Sequence, residues 1–392
     1  MISLENTKIA FENKSNKDLK SMRLLFKLIS KNWFVSTTKT ILPLALYIHF
    51  PIKWIVKPTI FKHFCGGETL ESCFKVVEKL SNNKVYSILD YSAESTNSNE
   101  TINEVTDEII KTILNAAKNP FIPFAVFKPS ALIQNNILEK KSSGQELNET
   151  EKVEFEKFTQ RINSICNEAY KNKVRLLIDA EYFRFQEIID IIVTDMMEKY
   201  NKEEAYIFNT LQMYRKDRLQ FLKYSHNIAI LKGYKLGIKF VRGAYMEQER
   251  LLAKNNNYPS PIHNTKEETD NDFNLGIEYT INNIKTIETF CGTHNEKSCL
   301  LLTNLFSLNK IENNDKRIWF SQLYGMSEHI SFNLANEKYN VVKYIPYGPI
   351  KKVLPYLIRR AEENTSIKGQ TNRELSLIKV EINRRKNKYE NR

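Results

Sequence analysis

Eight short apolar or alternating segments recur along this chain, and each ends in a polar side chain and gives way to a longer stretch with helical features. The segments are VYSILDYSAE (85–94), FIPFAVFKPSAL (121–132), VRLLIDAEY (174–182), EAYIFNTLQMY (204–214), LGIKFVRGAY (236–245), ETFCGTHN (288–295), RIWFSQLYGM (317–326) and YNVVKYIPYG (339–348). Between them, stretches such as RFQEIIDIIVTDMMEKY and RLQFLKYSHNIAILKGYKLG carry apolar residues at mixed three and four spacing, ending at Tyr200 and near Gly233 and Gly237. Strand then helix, eight times over, predicts a (β/α)8 barrel of the α/β class.

A barrel of this kind places its working groups at the C-terminal strand ends, where the strand-to-helix loops begin. Asp90, Lys128, Asp179, Gln212, Lys239 with Arg242, His294, Gln322 and Tyr344 are the polar residues expected there. Each could instead mark a strand running out into water. The barrel is expected over residues 81–375, after a helical, basic N-terminal arm at 1–80 and before a basic tail at 376–392. KKSSGQELNETEKVE (140–154) reads as a polar loop insertion after the second strand.

Composition narrows the class without naming it. With 42% hydrophobic and 27% charged residues, the chain has the make-up of a globular protein able to bury a sizeable core. The formal charge of +12 suits a nucleic acid, an anionic membrane surface or a phosphate-bearing cofactor. The Lys and Arg residues are spread along the chain rather than gathered into a stripe with aromatics, which argues against nucleic acid. Five cysteines without a CxxC pair support neither a disulfide framework nor a zinc knuckle, and a reducing compartment is expected. Six histidines without an HxH or HxxxH pair give a metal no site. No GxGxxG or GxxxxGK[ST] supports a Rossmann or P-loop nucleotide site. The N-terminus has neither an apolar export region nor transit-peptide composition, so no export is expected. ILPLALYIHF (41–50) is about half the ~20 apolar residues a spanning helix needs.

Several constellations carry chemistry. In PYLIRRAEENTS (355–366), helical spacing puts Tyr356, Arg360 and Glu363 on one face, with Arg359 about 100° round. Arg359 and Glu363 could form an ordinary exposed pair worth only ~0.3–0.5 kcal/mol. The planar guanidinium is also the group that clamps a carboxylate bidentately, so a small carboxylic acid over the barrel mouth is the other reading. Lys128 in VFKPS would add a cation for a carboxylate or phosphate, or be a solvated strand-end lysine. Asp179 in LLIDAEY would lie among these cations, in the site or in an orienting ion pair. Lys239, Arg242 and Tyr245 surround Gly243, whose missing side chain lets backbone approach a ligand closely. THN (293–295) offers a hydroxyl, an imidazole and an amide as a pyrophosphate cradle.

IDAEY, NTLQMYRKD, KFVRGAYM, THN, QLYGMSEHISF, KYIPYGP and PYLIRRAEENTS, in this order over roughly residues 55–370, together resemble proline dehydrogenase. IPYGP and Lys239 are similar to the mitochondrial-type branch; many bacterial members have Arg at the position matching Lys239. The resemblance implies a distorted (β/α)8 TIM barrel with an N-terminal helical arm and FAD across the strand ends. It implies oxidation of L-proline to Δ1-pyrroline-5-carboxylate by hydride transfer to flavin N5, with electrons passed to a membrane quinone. By similarity Arg359, Arg360 and Lys128 bind the proline carboxylate, and Tyr344, Tyr356, Leu323, Ala244 and Tyr245 wall the ring. Asp179 holds the geometry, Glu94 pairs with Arg359 on closure, and Lys239 steadies the reduced flavin. Ala180, Gln212, Lys239, Arg242, Gly243, Ala244, Thr269, Thr293, His294 and Glu363 match the FAD positions. Members preferring hydroxyproline carry a small residue at the position of Tyr344, so the Tyr implies proline selectivity. Nothing resembles the aldehyde dehydrogenase half of bifunctional members, so a separate pyrroline-5-carboxylate dehydrogenase is expected downstream. A quinone acceptor gives the basic arm and ILPLALYIHF a role in peripheral contact with the inner face of the membrane, in an otherwise cytoplasmic protein. The competing readings are a flavin barrel for another cyclic amine, such as hydroxyproline, or a basic binding protein without catalysis.

Overall fold

The computed structural model describes residues 2–31, 53–92, 99–366 and 370–390, and the side chains of 361–371 are not among those described. Glu94, the ILPLALYIHF segment and the Glu363 side chain lie outside the described set.

The eight strands are β1 (Tyr86–Tyr91), β2 (Phe124–Phe127), β3 (Arg175–Ile178), β4 (Ile207–Gln212), β5 (Leu236–Val241), β6 (Ile287–Gly292), β7 (Ile318–Leu323) and β8 (Val341–Tyr347). They close into a barrel in sequence order. Every strand falls within the apolar segment read for it, to within one residue at β6. All residues of β4 (IFNTLQ) and β8 (VVKYIPY) are buried, as parallel strands covered by helices must be. Phe183–Tyr200 and Arg218–Lys232 are helices, the second closed by Gly233 in the left-handed region at φ 66°.

Segment 140–154 is not a loop. A helix, Asn135–Ser142, runs into it, and a second, Glu149–Lys171, begins within it. Asn148 Oδ1 accepts from the Glu151 N–H at 2.9 Å while Glu151 accepts from the Asn148 N–H at 3.0 Å. This capping box turns a polar, loop-like composition into a helix start.

The chain forms two compact units, Met1–Ala93 with Gln322–Arg392, and Glu94–Ser321. In Glu94–Ser321, Phe124 of β2 meets Phe208, Phe290 and Trp319 edge-on with ring centroids 5.8, 5.1 and 5.1 Å away, an aromatic fill drawn from β2, β4, β6 and β7. In the other unit, Asn16–Ile29, Ile350–Ser366 and Gln370–Glu390 share a core that includes Leu19, Met22, Phe26, Val353, Leu357 and Ile378. Residues 376–390 continue the last of these helices, and Arg385 donates to the Phe11 and Lys14 carbonyls, both at 2.8 Å. Among the described residues no helix is long and apolar enough to cross a membrane.

Candidate active site

Strand register explains which polar groups meet. Phe127 is level with Ile178, Ile178 with Asn209, and Thr210 with Lys239. One residue further on, Lys128, Asp179, Thr210 and Lys239 therefore form one row across β2 to β5. Lys239 Nζ lies 2.5 Å from Asp179 Oδ1, and Lys128 Nζ lies 3.8 Å from Asp179 Oδ2. Thr210, between them in the row, is small and points its hydroxyl at the Ile178 carbonyl at 2.6 Å, leaving Lys239 room to reach Asp179. Lys239 is only 5% exposed and lies inside β5 rather than at its end. Tyr344 likewise lies inside β8. Alternation along a strand sets the facing side chains in successive levels, so not every lining group is a strand terminus.

Two residues of this region were not singled out from the sequence, Thr210 and Glu181. Glu181 is buried two residues after Asp179, and its Oε1 accepts from both the N–H (3.0 Å) and the hydroxyl of Ser130. Burial pushes its carboxyl up to about 6, against the Ser130 hydrogen bonds and nearby Lys128, which pull it down. Because the folded state favours the proton, the stability this gives is present below the ordinary carboxylate range and is lost as pH rises through about 6. Glu181→Gln keeps the acceptor for Ser130. The variant is expected to match the wild type near pH 4.5 and to exceed it by about 2 kcal/mol above pH 6.5. Denaturant unfolding across this range checks it; a gap independent of pH would contradict it.

The end of β5 is tied to two helices. Arg242 donates through Nε to Asp270 at 2.6 Å, through Nη1 to Thr293 Oγ1 at 2.5 Å and through Nη2 to Ser298 Oγ at 2.9 Å, with its guanidinium over the Phe273 ring at 4.2 Å. Burial raises the Asp270 carboxyl, but the hydrogen bond from Lys266 and the Arg242 charge outweigh it and hold the group below its usual range. Thr293 Oγ1 also accepts from the Asn295 N–H at 3.1 Å, just before the helix Glu296–Leu308. His294 is half-buried beside it. Thr269 stands apart from the others in chemistry: it is buried on the helix Lys266–Asn282 and its hydroxyl faces the Thr265 carbonyl at 3.4 Å. Gly243 has φ +126°, and a Cβ there would meet the Tyr214 ring at 2.5 Å, so the packing of Tyr214 demands glycine. Ala244 is exposed and Ala180 half-buried; Tyr245 stacks on Tyr182 with centroids 4.2 Å apart. Gln212, 3% exposed at the end of β4, holds its Oε1 buried with no hydrogen-bond donor among the described residues.

In the other unit, the helix Ile350–Ser366 follows β8 through Gly348 at φ +142°. Val353, Tyr356, Leu357 and Arg360 are all buried, at the spacing of one helical face. Arg360 is 7% exposed, with Cζ 5.0 Å from the Tyr356 ring centre; Arg359 is half-buried. The Tyr324 N–H donates to the Tyr344 carbonyl at 2.9 Å, linking half-buried Leu323 to the level of Tyr344.

The family model described as proline dehydrogenase matches residues 73–373. The chain belongs to the proline dehydrogenase family. Proline dehydrogenase 1, mitochondrial, of Dictyostelium discoideum is 31% identical over 98% of this chain and 75% of its own. The carbapenem antibiotics biosynthesis protein CarD of Pectobacterium carotovorum is 33% identical over 82% of this chain and 83% of its own. Among solved structures, proline utilization A of Bdellovibrio bacteriovorus, inactivated by N-propargylglycine, aligns with TM-score 0.74 and 20% identity over 94% of this chain, which spans 39% of that protein. This last likeness carries the fold alone. The enzyme class follows from the family: a proline dehydrogenase is an oxidoreductase, and proline oxidation is the activity that family membership supports.

Proposed function

We propose that this protein oxidises L-proline to Δ1-pyrroline-5-carboxylate with bound FAD as the immediate oxidant and a membrane quinone as the final acceptor, the first step in degrading proline to glutamate. The observation that carries the reading is the row in which Asp179 stands between Lys128 and a buried Lys239. Gln212 Oε1, a buried acceptor without a donor among the described residues, fits the imide N–H of an isoalloxazine ring. Gln212, Lys239, Ala180, Arg242, Gly243, Ala244, Thr269, Thr293, His294 and Glu363 would hold FAD. When bound, FAD supplies the acceptor for the hydride that leaves proline C5.

The chain's own part is placement. Arg359, Arg360 and Lys128 hold the proline carboxylate, which fixes the ring against rotation. Tyr344, Tyr356, Leu323, Ala244 and Tyr245 wall the ring and keep water from it. Asp179 keeps the Lys239 ammonium in place. For the acceptor side, the exposed face of Asn16–Ile29 carries Lys17, Lys20, Arg23 and Lys27 around Leu24 (60% exposed) and Leu28 (37%). Cations beside apolar side chains suit peripheral attachment to the anionic inner face of a membrane.

An anaerobic visible spectrum before and after L-proline is the deciding experiment. An oxidised-flavin spectrum that bleaches supports the proposal. A flavin that stays yellow rejects proline as the substrate, and a protein that remains colourless after FAD is added rejects the cofactor. Tyr344→Ser is expected to raise the hydroxyproline-to-proline ratio of kcat/KM about tenfold, a change of ~1.4 kcal/mol. An unchanged ratio removes Tyr344 from selectivity.

A further inference from the structure

The loop that follows β7 is held from four directions within its own compact unit. Lys343 of β8, with no exposed surface, directs Nζ to the Met326 carbonyl at 2.5 Å and towards the Leu323 carbonyl at 3.5 Å. Glu374 of the helix Gln370–Glu390 accepts from the Ser327 N–H at 2.5 Å, where Ser327 has φ +51°. Gly325, at φ +80°, leaves no room for a side chain: a Cβ would come within 2.3 Å of the His63 carbonyl. The fourth hold comes from the N-terminal arm. Lys14 Nζ is 3.6 Å from Glu328, which is 1% exposed, at the start of the helix Glu328–Asn336.

The arm itself is clamped. Arg385 donates to the Lys14 carbonyl at 2.8 Å, and Asn333 Nδ2 lies 3.3 Å from the Leu4 carbonyl and 3.4 Å from that of Asn6. Burial pushes His63 down to about 4, so it adds no charge at neutral pH. The acidic and basic groups of the cluster are then Lys14 and Lys343 against Glu328 and Glu374, with Tyr324 and His329 beside them. Removing one member leaves the others buried and unbalanced, and the backbone they hold is the backbone that carries Leu323.

We infer that Lys14 of the N-terminal arm is a positioning residue for the substrate wall, acting through Glu328 on the loop from Leu323 to Ser327. The inference rests on the proposed function, in which Leu323 faces the proline ring. It gives the arm a part in substrate binding that is separate from any membrane contact.

The test uses the full chain loaded with FAD, assayed with proline and a soluble dye acceptor. Lys14→Met is expected to raise KM for proline about tenfold, with kcat within twofold and flavin content unchanged. The double variant Lys14→Met/Glu328→Gln, which removes both charges, is expected to recover most of the KM. Lys8→Met, exposed on the short helix Thr7–Ala10 of the same arm, serves as the control and is expected to match the wild type. A wild-type KM in Lys14→Met overturns the inference, as does a loss confined to kcat or to flavin content. If Lys14→Met does not fold, the double variant decides: a folded double variant with restored KM supports the coupling, and one with KM still raised overturns it. A wild-type flavin that proline does not reduce is a failure of the proposed function, visible before any variant is made.

Discussion

Arg360→Met is expected to raise the proline KM by about two orders of magnitude, or roughly 2.8 kcal/mol, while the purified variant keeps its flavin. Arg360 is 7% exposed on the face of Ile350–Ser366 that also buries Tyr356, with its guanidinium carbon 5.0 Å from that ring. A guanidinium stacked on an aromatic face presents its donors in the plane of its edge, the geometry that a planar partner such as a carboxylate accepts. Charge-assisted hydrogen bonds of this sort contribute about 1.5–3 kcal/mol each, so loss of a bidentate pair accounts for the expected effect. Methionine preserves the apolar stem that packs on Tyr356 and removes only the charge. Arg359 is half-buried, and Arg359→Met is expected to give a smaller rise of about tenfold. Proline titrations of flavin bleaching, with flavin content per chain measured beside them, separate substrate binding from cofactor binding. Wild-type proline affinity in both variants would reject the carboxylate assignment.

The barrel was legible because its strands are buried on both faces and so read as short apolar runs, and because Tyr200 and Gly233 mark helix ends in sequence as they do in space. The site was legible residue by residue but not as an arrangement. Asp179 and Lys239 stand 60 positions apart in the chain, and only the register through Thr210 makes them neighbours. Glu181 escaped notice because, beside Asp179, it reads as one more acid leaving a strand; the donors that satisfy it come from Ser130, 51 residues away. The helix start at Glu149 was misread because Ser, Gly, Asn and Glu serve both loops and caps, and the reciprocal bonds of Asn148 and Glu151 exist only once the helix forms. Lys343 is a polar residue within an apolar strand, and its partners lie in a carbonyl turn and two distant helices, which no local pattern announces.

Asp179→Ala is expected to lower stability by about 3 kcal/mol and kcat/KM by at least a hundredfold. Removing one member of a buried pair costs about 3–5 kcal/mol because the remaining charge loses its counter-ion without regaining water. The lower end applies here, since Asp179 keeps 15% of its side chain exposed while Lys239 keeps 7%. The same substitution leaves Lys128 and Lys239 facing each other across the row, with Asp179 no longer drawing Lys239 to 2.5 Å. Stability and catalysis therefore fall together in the single variant, and one variant cannot tell them apart. Adding Lys239→Met removes the stranded ammonium and replaces it with an apolar chain of similar length. Stability of the double variant, read by urea unfolding, is expected to return to within about 1 kcal/mol of the wild type, because a buried ion pair exchanged for packed apolar atoms is often close to neutral. Activity is expected to stay low, since the cation of β5 is then missing as well as its counter-charge. A double variant that regained activity with its stability would confine Asp179 to balancing Lys239 and would take both residues out of the chemistry.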